Sequence, residues 1–127
     1  MIGYVTVGVN DMARAQAFYD ALTPELGGKR LMGDEKYTFY GTGMDAPMLT
    51  LAMPYDGGSQ SVGNGTMVAL AATSRAQVDQ VYAKAKELGG ADEGAPGLRG
   101  PEAMGFYGAY FRDLDGNKLA VFSMGAA

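Results

Sequence analysis

The sequence predicts an α+β fold: two tandem βαβββ modules forming a curved, mostly antiparallel sheet around a cleft. The first observation behind this is an internal repeat. The β-branched run Gly3-Tyr4-Val5-Thr6-Val7-Gly8-Val9 leads through Asn10-Asp11 into an amphipathic stretch carrying Phe18-Tyr19, and ends at Leu26-Gly27-Gly28. The run Thr66-Met67-Val68-Ala69-Leu70-Ala71-Ala72 leads through Thr73-Ser74 into a stretch carrying Val81-Tyr82, and ends at Leu88-Gly89-Gly90. Met67 minus Tyr4 and Tyr82 minus Tyr19 both give 63, so the offset is constant through most of the repeat, and a one-residue slip then brings Leu88 onto Leu26. A period of half the chain means two copies of one supersecondary unit, because a solenoid needs at least three shorter repeats. The second observation is that each copy holds one helical stretch against several strand-like ones, so one helix covers one sheet face. The third is turn chemistry between those strands, strongest at Asp115-Gly116.

Residues 2–9 read as a buried strand closed by Asn10 as a helix N-cap. The spacing predicts a helix over 11–22, with Met12, Ala15, Phe18 or Tyr19, and Leu22 on one face, stopped by Pro24 and Gly27-Gly28. Strands follow at about 28–33, 36–41 and 47–53, divided by Gly33-Asp34-Glu35 and by the segment 41–46. Residues 54–64, with Tyr55-Asp56-Gly57-Gly58-Ser59, read as the joint between the copies. The second copy opens with a strand at 65–72. Ser74 and Gln77 have capping-box spacing for a helix whose apolar face is Val78, Val81, Tyr82, Ala85 and Leu88. The stretch 91–102 is dense in glycine and proline and predicts a short strand with a long loop. Strands at 105–112 and 117–124 are joined by a hairpin at 113–117. The expected organisation is a single domain, 1–127, of two modules at about 1–54 and 65–127 joined by 55–64.

At 127 residues, with 47% hydrophobic and 19% charged residues, the chain can bury one ordinary core. It contains no cysteine, which excludes disulfides and thiol nucleophiles, and no histidine, which removes the commonest metal ligand and neutral-pH acid/base. Net charge is −4, without a Lys/Arg cluster, which argues against nucleic acid as a partner. No apolar run approaches the ~20 residues of a membrane span, and the N-terminus runs into the first strand without a charged leader. A cytoplasmic protein is expected. Gly63-Asn64-Gly65 lacks the third glycine of a nucleotide loop and precedes a strand rather than a helix. The densest carboxylates, Asp34-Glu35, Asp92-Glu93 and Asp113/Asp115, all fall in turn-like sequence, where Asp bends the backbone.

The stretches 7–15 with Phe18-Tyr19, 65–72, and above all Tyr110-Phe111-Arg112-Asp113-Leu114-Asp115-Gly116-Asn117-Lys118-Leu119 resemble the vicinal oxygen chelate superfamily. That group includes glyoxalase I, extradiol dioxygenases, and fosfomycin- and bleomycin-resistance proteins. The resemblance implies a divalent ion held by His or Glu on the first and fourth strands of each copy. In this chain those positions fall at Tyr4, Leu49 (or Thr50 after a one-residue slip), Met67 and Ala120. None offers an imidazole or carboxylate, so no metal and no cofactor is expected there.

Alternation from those positions groups Tyr4, Thr6 and Gly8, then Leu49 and Leu51, Met67 and Ala69, and Ala120 and Phe122, along an apolar cleft. Tyr37, Phe39, Tyr40, Phe106, Tyr107, Tyr110 and Phe111 supply aromatic rings near it, with Tyr110 as a candidate wall. Three readings are open. One is a metal-free protein binding a small, partly aromatic or cationic molecule. Another is a metal-independent enzyme of lyase or transferase type, with Tyr4 as the candidate catalytic acid. The third is a non-catalytic interaction module. The resemblance further implies a homodimer, with module pairing within or between chains left open.

Overall fold

The computed structural model of the chain describes residues 1–125. They fall into two compact units that divide between Asn64 and Gly65. The first contains β1 (Tyr4–Gly8), α1 (Met12–Leu22), a 3-10 turn (Thr23–Leu26), β2 (Lys29–Gly33), β3 (Tyr37–Gly41) and β4 (Met48–Ala52). Its sheet has the order β1-β4-β3-β2, with β1 parallel to β4 and the other pairs antiparallel. The second contains β5 (Val68–Ala71), α2 (Arg75–Glu87), β6 (Ala91–Leu98), a 3-10 turn (Glu102–Met104), β7 (Tyr107–Arg112) and β8 (Lys118–Ser123). Its order, β5-β8-β7-β6 with β5 parallel to β8, repeats the first. The α+β fold with two tandem modules is thus present. No helix among the described residues is long and apolar enough to cross a membrane.

In the first unit α1 buries Met12, Ala15, Phe18, Tyr19 and Leu22, the three- and four-residue spacing of its apolar positions. Its N-cap is Asp11, whose carboxylate accepts the Arg14 N–H at 3.1 Å. Asn10, the expected cap, instead accepts the Gln60 N–H at 2.7 Å with its side chain, which leaves the cap to the next residue. The pairing of β1 with β4 sets Val5 beside Leu49 and Val7 beside Leu51. Val7, Leu49 and Leu51 are buried, and residues paired across strands share a face. That places this row under α1 with Thr38 and Tyr40 of β3, where the Thr38 hydroxyl donates to Met12 Sδ at 3.4 Å.

Tyr40 closes this core at its polar rim. Its ring lies 5.8 Å from that of Tyr19, and its hydroxyl meets Asp20 Oδ1 at 2.8 Å and the Gln16 carbonyl at 3.3 Å. Arg30 grips the same carboxylate through Nε and Nη2. Burial, and then the hydrogen bond to Asp20, push the phenol's pKa well above its usual value. The fold therefore favours the neutral phenol. The stability it contributes is complete below pH ~10 and is lost as pH rises above that value. Tyr40→Phe is expected to cost about 1–2 kcal/mol at pH 7. Urea titrations at pH 9 and pH 11 should show a shallower alkaline loss in the variant, not its abolition, because Tyr82 and Tyr107 shift in the same direction.

In the second unit Ser74 caps α2 by accepting the Gln77 N–H at 3.1 Å, while Gln77 Oε1 accepts the Thr73 N–H at 2.7 Å. Val78, Val81 and Ala85 are buried, as are Ala109 and Phe111 of β7 and Leu119 and Val121 of β8. Tyr82 donates to Asp92 and Tyr107 to Asp79, at 2.8 and 2.6 Å, which ties α2 to β6 and β7. At Gly90 a Cβ would lie 2.8 Å from the carbonyl oxygens of both Ala85 and Arg112, so glycine lets helix and strand approach there. The hairpin at 113–117 is held by Asp113 Oδ1, which accepts the N–H groups of Asp115 and Asn117 at 2.9 Å each.

The segment 91–102 departs from expectation. Residues 91–98 form an eight-residue strand rather than a short one, with breaks in register between Asp92 and Gly94 and between Gly94 and Gly97. Pro96, which has no N–H to give a ladder, falls in the second break.

Candidate functional site

In the first unit the face turned away from α1 is open. Pairing sets Tyr4 beside Met48, Thr6 beside Thr50, and Thr50 beside Phe39, so one row runs across β1, β4 and β3. A cleft of about 590 Å³ lies on this face, lined by Tyr4, Thr6, Met32, Gly33, Asp34, Tyr37, Phe39 and Thr50. Its volume is that of a small-molecule site. The Tyr4 ring stands edge-on to Phe39 at 5.7 Å, and Tyr4, Met32 and Tyr37 are all exposed. Several large side chains held open together on one sheet face are unusual unless something binds there.

Thr50 lies at the floor with 1% of its surface exposed, and its Oγ1 has no hydrogen-bond partner. A buried hydroxyl left unpaired costs about 1–3 kcal/mol. At the rim, Asp34 Oδ1 accepts the N–H groups of Lys36 and Tyr37, at 2.8 and 3.0 Å. Those bonds hold its carboxyl below the usual carboxylate range, so it is charged at neutral pH. It is the one charged residue among those lining the cleft. A second hollow of about 440 Å³ shares Thr6 and Tyr37 and continues to Gly8, Tyr55, Asp56 and Gln60. Here the joint lies against the sheet: a Cβ on Gly8 would meet Gln60 Cγ at 2.7 Å.

The residues singled out from sequence divide as follows. Tyr4 and Thr6 line the cleft. Leu49 and Leu51 do not; the register of β4 against β1 turns them toward α1, and Thr50 occupies the face expected for Leu49. In the second unit Ala69, Ala120 and Tyr110 form one row across β5, β8 and β7. Met67, just ahead of β5, is exposed, and the Phe122 ring stacks on Phe106 at 5.3 Å and 5°. Thr50, named from sequence only as the one-residue alternative to Leu49, and Asp34, read there as a turn residue, are the site residues the sequence did not fix. The one polar residue within Met48-Leu49-Thr50-Leu51-Ala52 was the available signal for the first.

The donors do not fit a divalent ion. Tyr4 and Thr50 in the first unit, and Met67 and Ala120 in the second, present no carboxylate or imidazole. No group of three or more His, Cys, Asp or Glu side chains able to hold a metal occurs among the described residues. The carboxylates of Asp34, Asp92 and Asp113 accept backbone N–H groups at bends. No lysine or arginine is among the residues that line the cleft with Tyr4.

The family model described as Glyoxalase/Bleomycin resistance protein/Dioxygenase superfamily matches residues 1–121. A solved glyoxalase/bleomycin resistance protein from Albidiferax ferrireducens T118 is 35% identical, over 97% of this chain and 98% of that one, with a TM-score of 0.87. A hypothetical protein from S. aureus is 26% identical, over 97% and 92%, with a TM-score of 0.73. A lactoylglutathione lyase from Agrobacterium tumefaciens matches over 97% and 92% with a TM-score of 0.68; at 23% identity it shares the fold alone. No curated protein matches the chain.

Proposed function

Because the chain belongs to the glyoxalase/bleomycin resistance protein/dioxygenase superfamily, we propose that it uses this fold without a metal, to bind a small, flat, cationic molecule in the cleft of its first unit. The observation that carries this reading is the buried, unpaired Thr50 hydroxyl at the floor of an aromatic cleft. A ligand with a polar atom facing Thr50 and Thr6 satisfies that hydroxyl. The rings of Tyr4, Tyr37 and Phe39 offer faces and edges on which a planar cation is attracted. Asp34, kept ionised by its backbone bonds, supplies the opposite charge at the rim.

The test is calorimetric titration with a panel of planar aromatic cations and their neutral analogues, with and without EDTA. Saturable binding that EDTA leaves unchanged, with the ligand recovered intact by mass spectrometry, is expected. Asp34→Asn keeps the acceptor oxygen that holds the turn, and should weaken the cations by about five-fold while leaving the neutral analogues alone. Turnover of a bound compound, or binding that EDTA abolishes and zinc restores, would overturn the reading.

A further inference from the structure

The open face of the second sheet carries the opposite charge. Tyr110 of β7 is half-buried there, with Arg99 Cζ 5.5 Å and Lys118 Nζ 5.6 Å from the centre of its ring. The Arg99 side chain folds back along β6, where Nη2 donates to the Ala95 carbonyl at 2.6 Å and Nη1 to the Leu98 carbonyl at 3.4 Å. The strand leaves space for it: a Cβ at Gly97 would lie 2.9 Å from Nη1, and one at Gly94 would lie 3.3 Å from Nη2 and 3.0 Å from the Tyr110 ring. The lack of a Cβ at Gly94 and Gly97 is therefore what accommodates the guanidinium. These two bonds use two of its five N–H donors.

The nearby Arg112 is a third cation, and it takes Glu93 into an ion pair at 2.6 Å. Arg99 and Lys118 form no ion pair among the described residues, although both lie against one ring in a chain of net charge −4. Each cation stands 5.5 or 5.6 Å from the centre of the same ring, and an anion at the edge of that ring is attracted by both. Guanidinium and ammonium donors over an aromatic surface suit an oxyanion attached to an apolar body.

We propose that the second unit carries an anion-binding site, with Arg99 and Lys118 receiving a carboxylate or phosphate group and Tyr110 supporting the organic part beside it. This site uses none of the residues of the first unit's cleft and stands apart from the reading above.

The test is a nitrogen–proton NMR titration of the full chain with inorganic phosphate and, separately, succinate, against sodium chloride at matched ionic strength. Saturable shifts are expected at the Arg99 side-chain Nε–H and at the amides of 94–99, 110 and 118, produced by phosphate or succinate and not by chloride. The tighter of the two anions identifies the group the site takes. Lys118→Gln, which leaves the Arg99 bonds to β6 in place, should weaken the binding by about five-fold, and Lys36→Gln in the first unit should not. Shifts that chloride reproduces, that spread over both units, or that persist unchanged in Lys118→Gln would overturn the proposal. Shifts at Thr6 and Thr50 report on the first unit's cleft, so failure at one site is distinguishable from failure at the other.

Discussion

Phe111→Ala is expected to destabilise the second unit by about 3–5 kcal/mol. Phe111 is among the largest side chains in the chain with no exposed surface. Its place on β7 is fixed by pairing to Leu119 on one side and Asp92 on the other. It belongs to the buried set with Ala109, Val78, Val81 and Val121, and removing the ring leaves a void that these short side chains cannot fill. Both the lost transfer free energy and the cavity then count against the fold. Against a typical total of about 5–15 kcal/mol, such a loss is a large fraction of stability. Phe122→Ala is the comparison. That ring is half-buried against Phe106, so it loses less apolar burial together with a stacking term of about 0.5–1.5 kcal/mol. Urea unfolding followed by far-ultraviolet circular dichroism measures both. A loss below about 1 kcal/mol at Phe111 would mean that its ring does not fill the core beneath α2.

The fold was legible because each signal in the sequence had a local physical cause. The helices follow apolar positions at three- and four-residue steps, and the hairpin at 113–117 follows the turn chemistry of Asp113 and Gly116. In Tyr4-Val5-Thr6-Val7 polar and apolar residues alternate, so the sequence itself says which side faces the helix. Met48-Leu49-Thr50-Leu51-Ala52 gives no such direction, because four of its five residues are apolar and both faces can be buried. There the register comes from partners remote in sequence: Met48 N–H donates to the Gly3 carbonyl and Val9 N–H to the Ala52 carbonyl, at 3.1 and 3.0 Å. A slip of one residue exchanges Leu49 for Thr50, and with it the chemistry of the cleft floor. Arg99 of the second sheet was hidden for a related reason. Gly94, Pro96 and Gly97 resemble a loop until pairing with β7 draws them into a strand with breaks, and only then does Arg99 reach Tyr110.

Thr50→Val should raise stability and lower affinity together. Valine keeps the branched shape of threonine and suits the middle of a strand. What it removes is a hydroxyl that is buried and unpaired in the free protein. The desolvation cost of such a group is about 1–3 kcal/mol, so the free protein should gain on the order of 1 kcal/mol, or a few degrees in melting temperature. Ligand affinity should move the other way, by about ten-fold if one hydrogen bond worth near 1.4 kcal/mol is lost. Thr50→Ser supplies the control: it keeps the hydroxyl and deletes a methyl group, so it should lose about 0.5–1.5 kcal/mol of stability while retaining most of the affinity. A polar atom that only filled space would give a different pattern, because its removal would change stability without touching binding. If Thr50→Val destabilises the protein, the hydroxyl is satisfied within the fold and the cleft loses its strongest mark of a ligand. If it stabilises the protein and weakens binding, the instability at Thr50 is a cost the chain carries for the molecule it holds.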